Sequence, residues 1–229
     1  GSLTLNSPAS VTVVTSGLNL SGDLTVNNGA SLTDATNNRG MSIGGNATIT
    51  WTGSVTSGST ACVVTGTTSG TGAWIGGAGA LTFTGDFTLS ALTESSSTTT
   101  FGGSTVTLST YTKNGGTAIL NRNGTTVMTT GDQHFNNVTL SAGPVVVTVS
   151  GALYVDGNLE VQSGQTLDLA TNNAALTVTG TTNAVALLNG TINAGSGALS
   201  FAGNFWMGTL KESSSTTTFG GSTVTLSTY

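Results

Sequence analysis

The eighteen residues ESSSTTTFGGSTVTLSTY at 94–111 recur without a change at 212–229. The likeness extends well beyond them. At an offset of 118, GALTFTGDFTLSALTESSS (79–97) lies over GALSFAGNFWMGTLKESSS (197–215). At an offset of 135, SGDLTVNNGASLTDATNN (21–38) lies over DGNLEVQSGQTLDLATNN (156–173), and Pro8 matches Pro144 at 136. The chain reads as two tandem units, 1–135 and 136–229, the first carrying about 17 extra residues between 39 and 78. Those residues are further strand and turn (TITWTGSV, ACVVTG, AWIGG). Such an insertion would disrupt a sandwich core. A solenoid absorbs it as one more coil, because each coil touches only its neighbours.

Within each unit, short runs alternate apolar and polar residues: DLTV, ATITW, ALTFTGDFTL, STVTL, NLEV, TLDL. Period-two alternation predicts strands with one buried face. Gly, Asn and Asp at the breaks tolerate the positive φ that sharp corners need. Strong helix formers are scarce, and 74 of 229 residues are Ser or Thr. The fold expected is all-β, one continuous parallel β-solenoid (β-helix) over 1–229, with no significant helix. Its coils take about 17–24 residues, and crossover handedness favours a right-handed coil.

The charge balance narrows the partners. Nine acids and four bases give a net charge of −5. Four scattered bases do not make a phosphate-binding surface, so nucleic acid is not an expected partner. No run of 18 apolar residues is present, so membrane insertion by a helix is not expected either. Cys62 is the one cysteine, which rules out an internal disulfide.

Few residues suggest chemistry. His134, in GDQHFNN with Asp132 nearby, has the makings of a base or a metal ligand. It is the one histidine in the chain, and it reads as a turn residue. Cys62 sits in an apolar run and reads as a small buried hydrophobe. Paired carboxylates of the kind that cleave polysaccharides are not indicated. Asp23 is matched by Asn158 and Asp86 by Asn204, so an Asx side chain capping a turn suffices at both places. Asp34 and Asp168 are isolated acids. The expectation is no catalytic residue, no metal, no cofactor and no enzymatic activity.

Stacking places equivalent residues in files along the coils. Phe83, Phe87 and Phe101, with their copies Phe201, Phe205 and Phe219, are expected to stack in the core. Asn37, Asn38, Asn172 and Asn173 are candidates for asparagine ladders with amides pairing rung to rung. Trp206 replaces Thr88 of the first copy. If Phe205 points inward, alternation sends Trp206 outward as a candidate lateral contact. Asn-x-Ser/Thr triplets at Asn19, Asn46, Asn123, Asn137 and Asn189 are no more frequent than this composition produces by chance. Thr-x-Thr triplets at 48–50, 82–84, 98–100, 105–107 and 223–225 raise ice binding, but their sequence spacing is irregular.

The phrases FNNVTLS, SGDLTV, DGNLEV, GALTFTGDFT and TTTFGGSTVTL resemble those of bacterial β-strand-repeat surface proteins. More broadly they resemble autotransporter passenger domains and filamentous-haemagglutinin-type adhesins. The resemblance covers most of the chain and implies a secreted or surface-anchored solenoid used as stalk, adhesin or fibre. It transfers no catalytic residue. The second unit lacks its final 24 or so residues relative to the first. The expectation is an excerpt of a longer array, or else a subunit whose open strand edges pair end to end. The expected role is a structural segment of an extracellular or cell-surface filament, with self-association along the axis and between fibres. The alternative is an adhesin stalk or module recognising glycan or a cell surface, with an ice-binding solenoid behind it.

Overall fold

A computed structural model describes residues 1–122, 124–129, 133–141, 145–183, 190–212, 214 and 216–229. Asp132, Pro144, Asn123 and Asn189 lie outside the described residues. The fold is an all-β parallel β-solenoid of about 10 turns with about 21 residues per coil, and the described residues form no helix. It divides into two units, Gly1–Thr117 and Ala118–Tyr229.

In the first unit each coil contributes three short strands, and every strand bonds to its counterpart one coil on. One set runs Leu3–Leu5, Leu24–Val26, Ala47–Ile49. The second runs Ser10–Thr12, Ser31–Thr33, Ser54–Thr56. The third runs Leu18–Leu20, Met41–Ile43, Cys62–Val64, Leu81–Phe83, Thr98–Phe101. In the fourth and fifth coils the first two sets merge into long strands, Thr68–Ile75 and Phe87–Thr93. Their register slips between Gly70 and Ala73.

Alternation decides what faces inward, and the ladder converts each inward position into a file. Val11, Leu32, Val55, Trp74, Leu92 and Tyr111 form one file. Leu20, Ile43, Val64, Phe83 and Phe101 form another. All but Val11 and Leu20 are buried. Each such Val, Leu or Phe stabilises the fold by about 1.5–3 kcal/mol. This is how a chain with few charges and no disulfide holds together.

The second unit repeats the scheme. Phe135, Val155, Val178, Phe201 and Phe219 make one inward file. Val138, Leu159, Thr182 and Phe205 make another, continued in register by the exposed Val224. Between the matched segments the first copy takes two coil steps, Met41 to Cys62 to Leu81, where the second takes one, Leu176 to Leu199.

One strand differs from its sequence reading. In ATITW the alternation would continue inward from Ala47 and Ile49 to Trp51. The strand ends at Ile49, and the chain turns: the Gly53 amide donates to the Thr50 carbonyl at 2.8 Å. Trp51 is thrown outward and is 76% exposed.

Candidate functional site

The aromatic positions form two clusters. In the first unit the Phe83 ring stacks on Phe101 at 6.0 Å and 22°, and Phe87 meets both rings at 4.8 and 5.3 Å. Trp74, an indole that the sequence reading did not single out, meets Phe83 edge-on at 5.3 Å. In the second unit Phe201 stacks on Phe219 at 5.6 Å, with Phe205 against both. Phe219 is only half-buried; the other five phenylalanines are fully inside.

The four corner asparagines stitch coil to coil, but not amide to amide. Asn37 Nδ2 donates to the Val13 carbonyl and Asn172 Nδ2 to the Val149 carbonyl, both at 2.9 Å. Asn38 and Asn173 adopt left-handed φ of 52° and 51°. Their Oδ1 atoms accept from the Ser59 and Ser196 amides at 2.6 and 3.0 Å. The expected amide rung is found elsewhere, at Asn27 Nδ2 to Asn6 Oδ1, 2.7 Å.

Asp23, Asp86, Asn158 and Asn204 do related work. Asp23 Oδ1 accepts from the Asn46 amide at 2.7 Å, and Asn46 Oδ1 from Thr67 at 2.9 Å. Asp86 Oδ1 accepts from the Ser104 and Thr105 amides. In the second unit Asn158 Oδ1 accepts from the Thr181 amide and Asn204 Oδ1 from Thr223. Each Asx oxygen caps the corner of the following coil, a task that needs an acceptor and not a charge.

Asp34, Asp168 and Glu94 are anchored. Asp34 is fully buried, and its carboxylate accepts from the Arg39 and Gly40 amides at 2.6 and 2.8 Å. Asp168 accepts from the Ala170 amide at 3.2 Å and from Asn193 Nδ2 at 2.9 Å. The sequence reading gave no role to Glu94, which is fully buried. Its carboxylate accepts from the Tyr111 hydroxyl and from the Asn114 and Gly116 amides. Tyr229 donates likewise to Glu212. A signal was present: Glu and Tyr stand 17 residues apart in both copies of the repeated phrase, close to one coil.

His134 is not at a turn. It lies in strand His134–Phe135, paired in register with Tyr154. Its ring stacks flat on Tyr154 at 4.6 Å and 6°, and Nδ1 lies 2.9 Å from Asp156 Oδ1. Stacking and the carboxylate together fix the orientation of an exposed imidazole. No group of three or more His, Cys, Asp or Glu among the described residues is arranged to hold a metal ion.

Cys62 is buried, beside Ser57. Ser57 Oγ accepts from Trp74 Nε1 at 2.7 Å. Burial pushes the Cys62 thiol from 9.0 up to about 12; the Ser57 hydrogen bond works against this and the Asp34 charge adds to it. Burial, and then the Glu94 charge and hydrogen bond, push Tyr111 above its ordinary 10.0. Both groups hold their protons more tightly folded than unfolded. Their contribution is whole below about pH 9, and that of Cys62 is lost between about 9 and 12 as the unfolded chain ionises first. We expect the unfolding free energy measured in urea to fall steadily above pH 9, by up to about 1.4 kcal/mol per pH unit for each group titrating. A Cys62→Ala variant measured across that range should show a shallower fall between pH 9 and 10.

The outward positions form hydroxyl files. Ser10, Ser31 and Ser54 stand in one column and Thr12, Thr33 and Thr56 in the next, two residues over. The fourth rank interrupts both with Ala73 and Ile75. These columns do not coincide with the Thr-x-Thr triplets picked out in the sequence. Trp206 is half-buried between the inward Phe205 and Met207, with Asn183 and Thr225 as its strand neighbours.

No family model, no curated protein and no solved structure matches the chain. The class defined by the fold is a β-helical tandem-repeat protein.

Proposed function

We propose that this chain is a structural segment of an extracellular filament, sheath or surface fibre. The observation that carries the reading is the direction of its bonds. Backbone ladders, aromatic stacks and corner stitches all run from one coil to the next. A strain along the coil axis is therefore shared by the whole set of inter-coil hydrogen bonds. The residues that vary between copies, such as Asp23 and Asn158, keep the acceptor that the stitch requires. The weakly charged Ser/Thr/Asn surface suits close lateral packing, because like-charge repulsion is small.

Location and assembly are tested together. Antibodies raised against the folded chain are applied to intact, unpermeabilised source cells and viewed by immunogold electron microscopy. Label along surface fibres is the expected result. Label that needs permeabilisation, or that follows no fibre, would sink the proposal.

A further inference from the structure

The corner at Trp51 is built unlike its neighbours. Trp51 is the second residue of the four-residue turn closed by Gly53 on Thr50. Its φ is +52°, a region that costs an aromatic L-residue free energy and that glycine or asparagine normally occupies. The preceding coil turns at the same corner with Gly29 at φ +72° as the third residue of its turn, and in the next coil the strand Thr68–Ile75 runs through the position with Gly70 at φ +121°. A large aromatic side chain thus sits in a strained conformation without the compensation of burial. Strain of this kind points towards a use for the side chain.

The corner is also held firmly. The Trp51 amide donates to Thr71 Oγ1 at 2.8 Å. Thr52 Oγ1 accepts from the Gly29 amide at 3.0 Å and donates to Asn28 Oδ1 at 2.7 Å. Three successive coils fix the base of the indole through these bonds. Beside it lies a hollow of about 400 Å³ lined by Trp51, Thr52 and Thr71. Asn28, Thr52 and Thr71 carry no charge, and the Asn28 amide nitrogen is not engaged in the Thr52 bond. The corner lies within 39–78, where the first copy is longer than the second by about 17 residues.

We propose that the Trp51 corner is a binding subsite for a neutral saccharide. The exposed indole offers a flat face to the C–H face of a pyranose ring. Beside the indole the hollow is lined by Thr52 and Thr71, and Thr71 Oγ1, which accepts from the Trp51 amide, keeps its own O–H to donate to a ring hydroxyl. An uncharged lining matches an uncharged sugar. The site adds ligand capture to a segment whose proposed role is structural, and it stands apart from that role.

The test uses the whole chain and two variants, Trp51→Asn and Trp206→Phe. Asparagine tolerates left-handed φ, so Trp51→Asn should fold with a urea midpoint no lower than the parent. The probes are neutral oligosaccharides of glucose (β-1,3, β-1,4 and α-1,4), mannose and N-acetylglucosamine, followed by saturation-transfer NMR and calorimetry. At least one should bind, with affinity unchanged in Trp206→Phe and about tenfold weaker or worse in Trp51→Asn. The proposal is overturned if no probe binds at millimolar concentration, or if Trp51→Asn binds as the parent does. It is equally overturned if sedimentation shows the chain dimerising through Trp51, which would make a second copy the occupant.

Discussion

Replacing Trp74 with alanine is expected to destabilise the first unit by about 3–5 kcal/mol. Trp74 is fully buried and stands between Val55 and Leu92 in its file. Its removal opens a cavity against Phe83, whose edge-on contact is lost, and leaves Ser57 Oγ without the indole donor it accepts from. The neighbouring coils cannot collapse into the gap without breaking their own ladder spacing. Trp74→Phe should cost less, because the ring volume is partly kept and chiefly the Nε1–H bond is lost. Urea unfolding followed by far-ultraviolet circular dichroism measures both. A loss below about 1 kcal/mol for Trp74→Ala, the level of an ordinary substitution, would show that the aromatic file is not what holds these coils together.

Gly70→Ala should be comparably damaging for a different reason. Gly70 has a φ of +121°, and a Cβ there would lie 2.0 Å from the Ile49 carbonyl oxygen. That atom is backbone of the coil below, so it cannot swing aside. Alanine must either move the strand out of register or push two coils apart, and we expect a loss of about 3–5 kcal/mol. Gly115 supplies the control. Its φ is +85° and nothing lies within 4 Å of an added Cβ, so Gly115→Ala should cost only backbone strain, about 1–2 kcal/mol. Equal effects at the two glycines would refute the steric account.

The coiled architecture was legible in the sequence because two signals survive any choice of register. Alternation marks strands, and matching offsets of 118 and 135 mark units. The phenylalanine clusters followed from the first of these offsets. Lateral neighbours were not legible, because coil length is not constant. Leu81 pairs with Thr99, 18 residues on, whereas Thr166 pairs with Thr191, 25 residues on. A one-residue error in such a step turns a side chain to the other face. That is why the sequence puts His134 with Asp132, two residues away, while the fold puts it beside Asp156, 22 residues on. The corner asparagines were placed on the right kind of feature, yet their partners are backbone groups, which composition does not reveal. Trp51 was hidden by its own alternation. ATITW reads as five residues of strand, and nothing in those letters says that the strand ends at the third.

The parallel ladder also has something to say about what such a chain is made of. Every outward residue stands directly over its counterpart one coil away, about 4.8 Å distant. Two like charges in one column would therefore repel across a strand spacing, and each further coil would repeat the penalty. The charged residues respect this. Glu160 lies between Thr139 and Asn183, Asp168 between Thr148 and Asn193, and Lys211 beside Asn193. A lengthening stack tolerates polar side chains without limit but accumulates charge at a growing cost. The 6% charged content is then a condition of growth: a solenoid that gains coils by duplication can do so only with a surface that is indifferent to being copied.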